Sequence, residues 1–184
     1  MNNKQKRVKR LFDFFLSLFL LIIFLPIILV LVLVASIDTK MFGLFLQNRV
    51  GEEGKLFKIM KIRTMKNQST SKLGQFLRNS KLDELPQLIN IFFGQMSFVG
   101  PRPDLEGFAD KLEGGDRIIL TVKPGLTSPA SIKYKDEETI LAQQEDSERY
   151  NKEVIWIDKV RMNKEYINNW SFLRDINCLI KSVI

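Results

Sequence analysis

Two adjacent carboxylates, Asp83 and Glu84, and an arginine between two prolines, Arg102, are the residues of this sequence best suited to chemistry. The sequence has no histidine and a single cysteine, Cys178. Ser-His and Cys-His nucleophile pairs, His-ligated zinc and an internal disulfide are therefore excluded. Acid–base or nucleophilic chemistry must use carboxylates, lysine, tyrosine or serine. Aspartate is suited to nucleophilic attack because it is ionised at neutral pH without an activating base.

The sequence around the acidic pair predicts the start of a helix. Ser80 is a candidate N-cap with Asp83 three residues further on, as in a capping box. Pro86 would fall in the first turn, where its missing N–H costs little. Apolar residues recur at helical spacing from Leu85 to Phe92. The unpaired N–H groups of such a helix start favour negative charge, so the two carboxylates could equally be simple helix caps.

A β-hairpin is predicted over residues 45–65, with its turn at residues 51–54. The segments on either side of the turn alternate apolar and polar residues, as strands with one buried face do. Lys61 and Arg63 are two residues apart and would share one strand face. These two cations either form a solvated surface or, beside an acidic active site, bind phosphate.

Four helical segments are predicted after the hairpin and around the acidic pair. Residues 72–79 form a short helix that directs Arg78 towards the carboxylates. Residues 104–113 form a second helix, and the acidic segment 136–153 a third, with one solvated face. In residues 154–184 apolar and basic groups alternate at helical spacing, which fits both a helix lying in a membrane interface and a helix packed on the core.

The residues from Phe14 to Ile37 include no charged residue. As a helix they would be roughly 36 Å long, enough to cross a hydrocarbon core of about 30 Å. Hydropathy alone favours a spanning helix. Two features favour a re-entrant one instead: Pro26 should kink the helix, and both flanks are basic, which places both on the cytoplasmic side. The basic residues within residues 1–10 suit anionic headgroups.

The chain has 184 residues, enough for one domain of ordinary size beside a membrane segment, and a formal net charge of +7. Such a positive charge suggests an anionic partner, and nucleic acid, anionic lipid and phosphate-bearing substrates all fit. The basic residues are spread along the chain, and no nucleic-acid-binding motif is present. We therefore expect no nucleic-acid partner, and a homo-oligomer is compatible with the sequence.

Six short motifs, in one order over nearly the whole chain, resemble those of the bacterial sugar transferases, the monotopic phosphoglycosyl transferases. They are KRLFD before the apolar run, then QNRVG with its following glycine and phenylalanine, KIRTM, LDELPQL, MSFVGPRP and KPGLT. The resemblance implies a mostly helical α+β fold with a re-entrant helix kinked at Pro26, a small β-hairpin and interfacial amphipathic helices. Residues 1–38 would be the basic N-terminus and anchor, and residues 39–184 a catalytic domain on the membrane face.

The resemblance also implies an activity. Asp83 would attack the sugar-linked phosphate of a nucleoside diphosphate sugar, a uridine diphosphate sugar by expectation, and polyprenol phosphate would then accept the phosphosugar. Asp83 would bind Mg²⁺, and Glu84 would assist with the metal or a proton. Candidates for neutralising the substrate phosphates are Lys61, Arg63, Arg78 and Arg102. The expected place is the cytoplasmic face of the bacterial inner membrane, at the first membrane step of glycoconjugate or exopolysaccharide assembly.

The alternative function is that of a non-enzymatic, membrane-anchored adaptor that binds acidic lipid or a protein partner. It would explain the net charge and the anchor, but not the particular residues around Asp83 and Arg102. The sugar is left open, because residues 128–133 depart from the segment common in the family, where sugar selectivity could be set.

Overall fold

The computed structural model describes residues 1–67 and 69–183, apart from the side chain of Val183. Most of the described residues are helical, and the strands are short, as predicted. The elements are α1 (Asn3–Thr39), β1 (Leu44–Val50), β2 (Leu56–Ile62), β3 (Met65–Lys66), β4 (Ser69–Thr70), α2 (Lys72–Asn79), α3 (Gln87–Phe92), β5 (Ser97–Val99), β6 (Gly125–Thr127), α4 (Pro129–Lys133), α5 (Glu137–Ala142), α6 (Ser147–Tyr150), α7 (Trp156–Asn168) and α8 (Phe172–Val183), with short 3₁₀ segments at Leu82–Glu84, Ala109–Lys111 and Gly114–Thr121 and a π-helical turn at Asn151–Ile155.

The predicted hairpin is confirmed. Strands β1 and β2 pair antiparallel, with Phe45 opposite Lys61, and the chain turns through a 3₁₀ segment at Glu52–Gly54. Glu53 and Gly54 both have positive φ there. β3 pairs with β4, and β5 pairs with β6 in parallel.

Two apolar clusters hold the fold together. In the larger one, Leu88 and Ile91 of α3 and Val99 of β5 belong to the same buried cluster as Ile167 and Trp170 near the end of α7. The smaller cluster is formed by residues of α1, β2 and α2, namely Ala35, Ile62 and Leu77. The acidic pair follows α2, which contributes to the smaller cluster, and precedes α3, which contributes to the larger one.

Helix α1 is continuous over 37 residues and contains Pro26. It is long and apolar enough to cross a membrane, by length and composition. Its first turns pack on the larger cluster through Phe12 and Leu16, and its last turns pack on the smaller cluster through Leu31 and Val32. Most of the apolar side chains between these two ends are exposed.

The prediction that the basic residues near the N-terminus face lipid headgroups is wrong for two of them. Lys9 is buried and forms an ion pair with Asp175 of α8. The guanidinium of Arg10 donates hydrogen bonds to the carbonyls of Ile91 and Phe92, at 2.8 and 2.6 Å. Lys9 and Arg10 therefore make tertiary contacts within the protein, because their partners come from distant parts of the chain.

Two of the predicted helices differ from the structure, and a third is confirmed. Residues 72–79 are helical as predicted. Residues 104–113 do not form a helix and contain only a short 3₁₀ turn at Ala109–Lys111. Residues 136–153 are split by a non-helical break between α5 and α6. Both segments are rich in polar residues and have few buried apolar side chains, so they have little packing to sustain a long helix.

The last two helices pack against the core, one of the two arrangements that the sequence left open. Trp170 and Cys178 are buried in the larger cluster, and Trp156 and Leu179 pack against it. Ile157, Leu173 and Ile180 remain exposed on the outside of the same helices.

Candidate active site

The acidic pair lies on a single 3₁₀ turn at Leu82–Glu84, ahead of α3. The predicted N-cap at Ser80 is wrong: this residue is the C-cap of α2, and its hydroxyl donates to the carbonyl of Phe76 at 2.8 Å. The next residue, Lys81, has φ of 59° and starts the 3₁₀ turn. The left-handed backbone of Lys81 changes the direction of the chain after α2. The 3₁₀ turn that follows begins without a hydrogen bond from a capping side chain.

Glu84 is held by two cations. Its Oε1 accepts hydrogen bonds from Nζ of Lys61 at 3.0 Å and from the guanidinium of Arg102 at 2.7 Å. Burial alone would raise the pKa of Glu84, but Arg102 and Lys61 outweigh it and lower the pKa to about 2. Glu84 is therefore held as an anion that joins β2 to the loop after β5.

The carboxylate of Asp83 has a different environment. The residue is 7% exposed, yet no described residue donates a hydrogen bond to its carboxylate. Burial raises the pKa of Asp83 and the charge of Glu84 raises it further, while Lys61, Lys81 and Arg78 oppose the rise. Asp83 is consequently the member of the pair whose oxygens are available to a ligand.

The other predicted phosphate ligands lie at different places. Arg78 is close enough to Asp83 to lower its pKa, and its Nε donates to Oγ1 of Thr64 at 3.0 Å. Arg63 lies beyond the end of β2 and donates to the carbonyl of Phe42 at 2.8 Å, with its guanidinium 5.3 Å from the ring centre of Phe45. The structure thus brings Lys61, Arg78 and Arg102 to the acidic pair and directs Arg63 towards the end of α1.

Arg102 is positioned by the close contact of β5 with β6. A Cβ on Gly125 would lie 2.1 Å from the backbone nitrogen of Gly100, so no other residue fits at position 125 without moving the backbone. Gly125 also donates its N–H to the carbonyl of Pro101 at 2.8 Å. The loop that carries Arg102 is thereby fixed to β6, and the guanidinium remains half exposed.

Asn90 was missed by sequence reasoning, although it connects two parts of the site. Its side chain is fully buried in α3 and donates to the carbonyl of Lys58 at 2.8 Å, while accepting from the N–H of Met60 at 3.0 Å. These bonds hold β2 against α3, so that Lys61 reaches Glu84. The signal available in the sequence was a polar residue, Asn90, within the apolar stretch from Leu88 to Phe93.

A second group of charges, around Asp104, was also missed. Burial raises the pKa of Asp104 to about 6, against the opposing charges of Lys159, Arg49 and Arg102. The Nε of Arg49 is buried and has no hydrogen-bond partner among the described residues. Arg49 and Asp104 lie in the QNRVG motif and directly after Pro103, but only the fold places them beside Lys159.

At the candidate site, the carboxylate of Asp83 is available for a divalent cation. Among the described residues no group of three or more His, Cys, Asp or Glu side chains is close enough to hold a metal. Mg²⁺ commonly binds through one or two carboxylates and completes its coordination with substrate phosphates and water. The unpartnered carboxylate of Asp83 fits such a site, whereas Oε1 of Glu84 already accepts two hydrogen bonds.

The sequence profile of a family described as bacterial sugar transferase matches residues 4–184. The chain belongs to the bacterial sugar transferase family. The family predicted from the six motifs is confirmed, and with it the prediction that the chain is related to enzymes rather than to adaptors.

Individual relatives carry related names. The chain is 33% identical to a UDP-glucose:undecaprenyl-phosphate glucose-1-phosphate transferase of Klebsiella pneumoniae, over 95% of this chain and 39% of the relative. It is 31% identical to the uncharacterized sugar transferase EpsL of Bacillus subtilis, over 96% of this chain and 85% of the relative. It is 28% identical to a UDP-galactose-lipid carrier transferase of Erwinia amylovora, over 98% of this chain and 40% of the relative. The chain thus spans about two fifths of the first and third of these relatives.

Proposed function

We propose that this protein transfers a phosphosugar from a nucleoside diphosphate sugar to polyprenol phosphate, through a covalent intermediate on Asp83. One observation carries the proposal: two adjacent carboxylates have opposite environments. Glu84 is neutralised by Lys61 and Arg102, while the carboxylate of Asp83 has no hydrogen-bond partner among the described residues. Asp83 is therefore available to attack, and the cations beside it can neutralise a diphosphate.

The reaction would take place in two steps. A carboxylate oxygen of Asp83 forms a bond to the sugar-linked phosphorus, and the bond from that phosphorus to the nucleoside monophosphate breaks. The phosphate oxygen of polyprenol phosphate then attacks the same phosphorus, and the bond to Asp83 breaks. The products are nucleoside monophosphate and polyprenyl-diphosphate-sugar, and the Asp83 carboxylate is regenerated.

Three cations support this chemistry in different ways. Arg102 is half exposed and can turn one face of its guanidinium to the substrate while it holds Glu84. Arg78 lies close enough to Asp83 to influence its charge. Lys61 fixes Glu84 from the side of the hairpin. Mg²⁺, bound by Asp83 and the substrate's diphosphate oxygens, would supply charge neutralisation at the leaving phosphate.

We also propose that α1 enters and leaves the membrane by one face. The same body of residues contacts both ends of the helix: Arg10 binds the end of α3, and Oδ2 of Asp38 accepts a hydrogen bond from Ser71 at 2.6 Å. Arg10 and Asp38 would be about 42 Å apart along a straight helix, more than the thickness of a hydrocarbon core of about 30 Å. A helix bent near Pro26 lets one cytoplasmic domain reach both ends.

Aromatic residues near each end of α1 support that topology. Phe93 lies next to the contact with Arg10 and is 70% exposed, and Phe42 follows the end of α1 and is 69% exposed. Phenylalanine is one of the apolar side chains by which interfacial segments enter the boundary between headgroups and acyl chains. The catalytic domain would then lie on the cytoplasmic face of the inner membrane, where a soluble nucleotide sugar and a lipid phosphate can meet.

The substrate class follows the names of the relatives, which include both a glucose and a galactose transferase and name undecaprenyl phosphate or a lipid carrier. A uridine diphosphate sugar and polyprenol phosphate are therefore the substrates to test first. The named sugars differ between relatives of similar identity, so the sugar of this protein must be found by a panel.

The deciding experiment uses the full chain, solubilised with Mg²⁺ and a panel of uridine diphosphate sugars but no lipid acceptor. We expect a burst of uridine monophosphate no larger than the amount of enzyme, with a covalent mass increase equal to one phosphosugar. Sequential kinetics together with no mass increase would reject the covalent step at Asp83. An adaptor would release no uridine monophosphate from any sugar.

A further inference from the structure

The first turns of α1 contact the two segments that carry the catalytic charges. Arg10 binds the carbonyls of Ile91 and Phe92, at the end of α3, while Oδ1 of Asp13 accepts the N–H of Phe98 in β5 at 3.1 Å. Arg10 and Asp13 are three residues apart, and therefore lie on one side of the helix. A short stretch of the membrane helix thus joins α3 to β5.

The two segments it joins lead directly to the active site. α3 follows the turn that carries Glu84 by two residues, and its Asn90 holds β2, from which Lys61 reaches Glu84. β5 ends three residues before Arg102, the second cation on Glu84. The relative position of α3 and β5 therefore sets whether Arg102 and Lys61 can bind the same carboxylate oxygen.

The contact between Arg10 and the end of α3 depends on the planar shape of the guanidinium. Its two terminal nitrogens donate to two successive carbonyls at the C-terminal end of α3, where backbone carbonyls have no partners within the helix. The group also packs against Gly94, where a Cβ would lie 3.1 Å from its central carbon. A lysine at this position would keep the charge but could not bind both carbonyls in the same planar geometry.

We infer that Arg10 and Asp13 are positioning residues: they hold α3 and β5 together and thereby fix Glu84 relative to Arg102. The membrane helix is then part of the catalytic scaffold as well as an anchor. This inference rests on the proposed function, because the consequence for turnover assumes that Glu84 and Arg102 serve phosphosugar transfer.

The test compares three variants of the full chain in lipid nanodiscs. Arg10→Gln removes the charge and the fork, and Arg10→Lys removes only the fork. Arg7→Gln is the matched control, because Arg7 is three residues earlier on the same helix and exposed. Turnover and KM for the nucleotide sugar are measured for each variant, with binding to vesicles that contain phosphatidylglycerol and hydrogen exchange of the peptides covering residues 91–103.

We expect Arg10→Gln to lower kcat at least tenfold with KM changed less than twofold, and to speed exchange in residues 91–103. Arg10→Lys should show an intermediate loss of kcat, while Arg7→Gln should resemble the wild type in kcat and exchange. The two glutamine variants should bind vesicles equally, since each loses one positive charge. If Arg10→Gln unfolds, the comparison of Arg10→Lys with Arg7→Gln makes the same test.

Two results would overturn the inference. In the first, Arg10→Lys has the kcat of the wild type, which would show that only charge matters at this position. In the second, Arg10→Gln and Arg7→Gln have equal exchange in residues 91–103. If the wild type transfers no phosphosugar from any nucleotide sugar, the proposed function fails, and the exchange measurement alone then decides whether Arg10 holds α3 and β5.

Discussion

Two buried aspartates of this protein, Asp175 and Asp83, differ in whether their carboxylates have hydrogen-bond partners. Where the first turns of α1 contact α8, both oxygens of Asp175 have partners: Tyr166 donates to Oδ1 at 2.6 Å, and Trp170 and Lys9 donate to Oδ2. In the candidate active site, the carboxylate of Asp83 has no such partner among the described residues. Asp175 is 1% exposed, and with its acceptor positions occupied it can only stabilise the fold.

The comparison separates structural from reactive carboxylates by what their oxygens bind. A buried charge whose hydrogen bonds are all made is costly to disturb and unavailable to a ligand. A buried charge without hydrogen-bond partners makes folding less favourable. Such a destabilising group is expected where a ligand will supply the missing contacts. Glu84 lies between the two extremes, since its Oε1 accepts two hydrogen bonds while the neighbouring carboxylate of Asp83 accepts none from the described residues.

The largest effect should come from Asp83→Asn. The amide is a poor nucleophile and a poor Mg²⁺ ligand, so turnover should fall on the order of 10³-fold or more, and the uridine monophosphate burst should disappear. Burial and the charge of Glu84 raise the pKa of Asp83, so loss of its charge should not lower the thermal midpoint. Clear destabilisation by Asp83→Asn would place this residue with Asp175 and remove the contrast.

The next largest effect should come from Asp175→Asn, which should lower stability, whereas Asp83→Asn lowers turnover. This change removes the hydrogen-bonded partner of the buried Lys9 ammonium and leaves only the nearby carboxylate of Asp13 to oppose its charge, so the free energy of unfolding should fall by about 3 kcal/mol. Denaturant unfolding in detergent would measure it. The double variant Lys9→Met with Asp175→Asn should recover part of the loss, because the ammonium that lost its partner is also gone. A double variant no more stable than Asp175→Asn alone would contradict a paired, structural role.

Arg102→Lys tests whether the active-site cations act by geometry or by charge alone. Lysine keeps the charge but loses the planar fork that can bind Glu84 and a phosphate together. We expect kcat to fall roughly 10- to 100-fold, which corresponds to about 1.4–2.7 kcal/mol of transition-state stabilisation. Lys72→Ala, at an exposed residue at the start of α2, is the control and should change kcat less than twofold. Equal losses in the two variants would favour diffuse attraction of the substrate.

The smallest effect concerns Asp104. Burial raises the pKa of this residue from 3.8 to about 6. The folded state binds a proton more tightly than the unfolded state, so the stability associated with this group increases as pH falls from above 6 towards 4. Asp104→Asn removes a costly charge and should stabilise the protein at pH 8 by on the order of 1–2 kcal/mol. Towards pH 4 most of the stabilisation should vanish, since Asp104 is then protonated in the folded state and no charge is buried.

Thermal unfolding of Asp104→Asn and wild type from pH 4 to pH 8 would measure this difference. Glu106→Gln, at an exposed residue two positions away, serves as the control and should show no pH-dependent difference. A stabilisation by Asp104→Asn that is equal at pH 4 and pH 8 would contradict the burial of an ionised Asp104.

The sequence by itself determined the features that depend on local pattern and on motif. The hairpin, helix 72–79, the long apolar helix and the family all follow from alternation, spacing and short motifs such as LDELPQL. The candidates Asp83, Glu84, Lys61, Arg78 and Arg102 were also available from the sequence, because they lie in or beside the motifs that resemble those of the family.

Only the tertiary structure decided which charge each residue faces. Lys9 and Arg10 looked like lipid-facing cations because their partners, Asp175 and the end of α3, lie more than 80 residues away. The adjacent pair Asp83 and Glu84 could not be divided into an available carboxylate and a held one from composition. That division depends on desolvation and on contacts from β2 and the loop after β5, which exist only when the chain is folded.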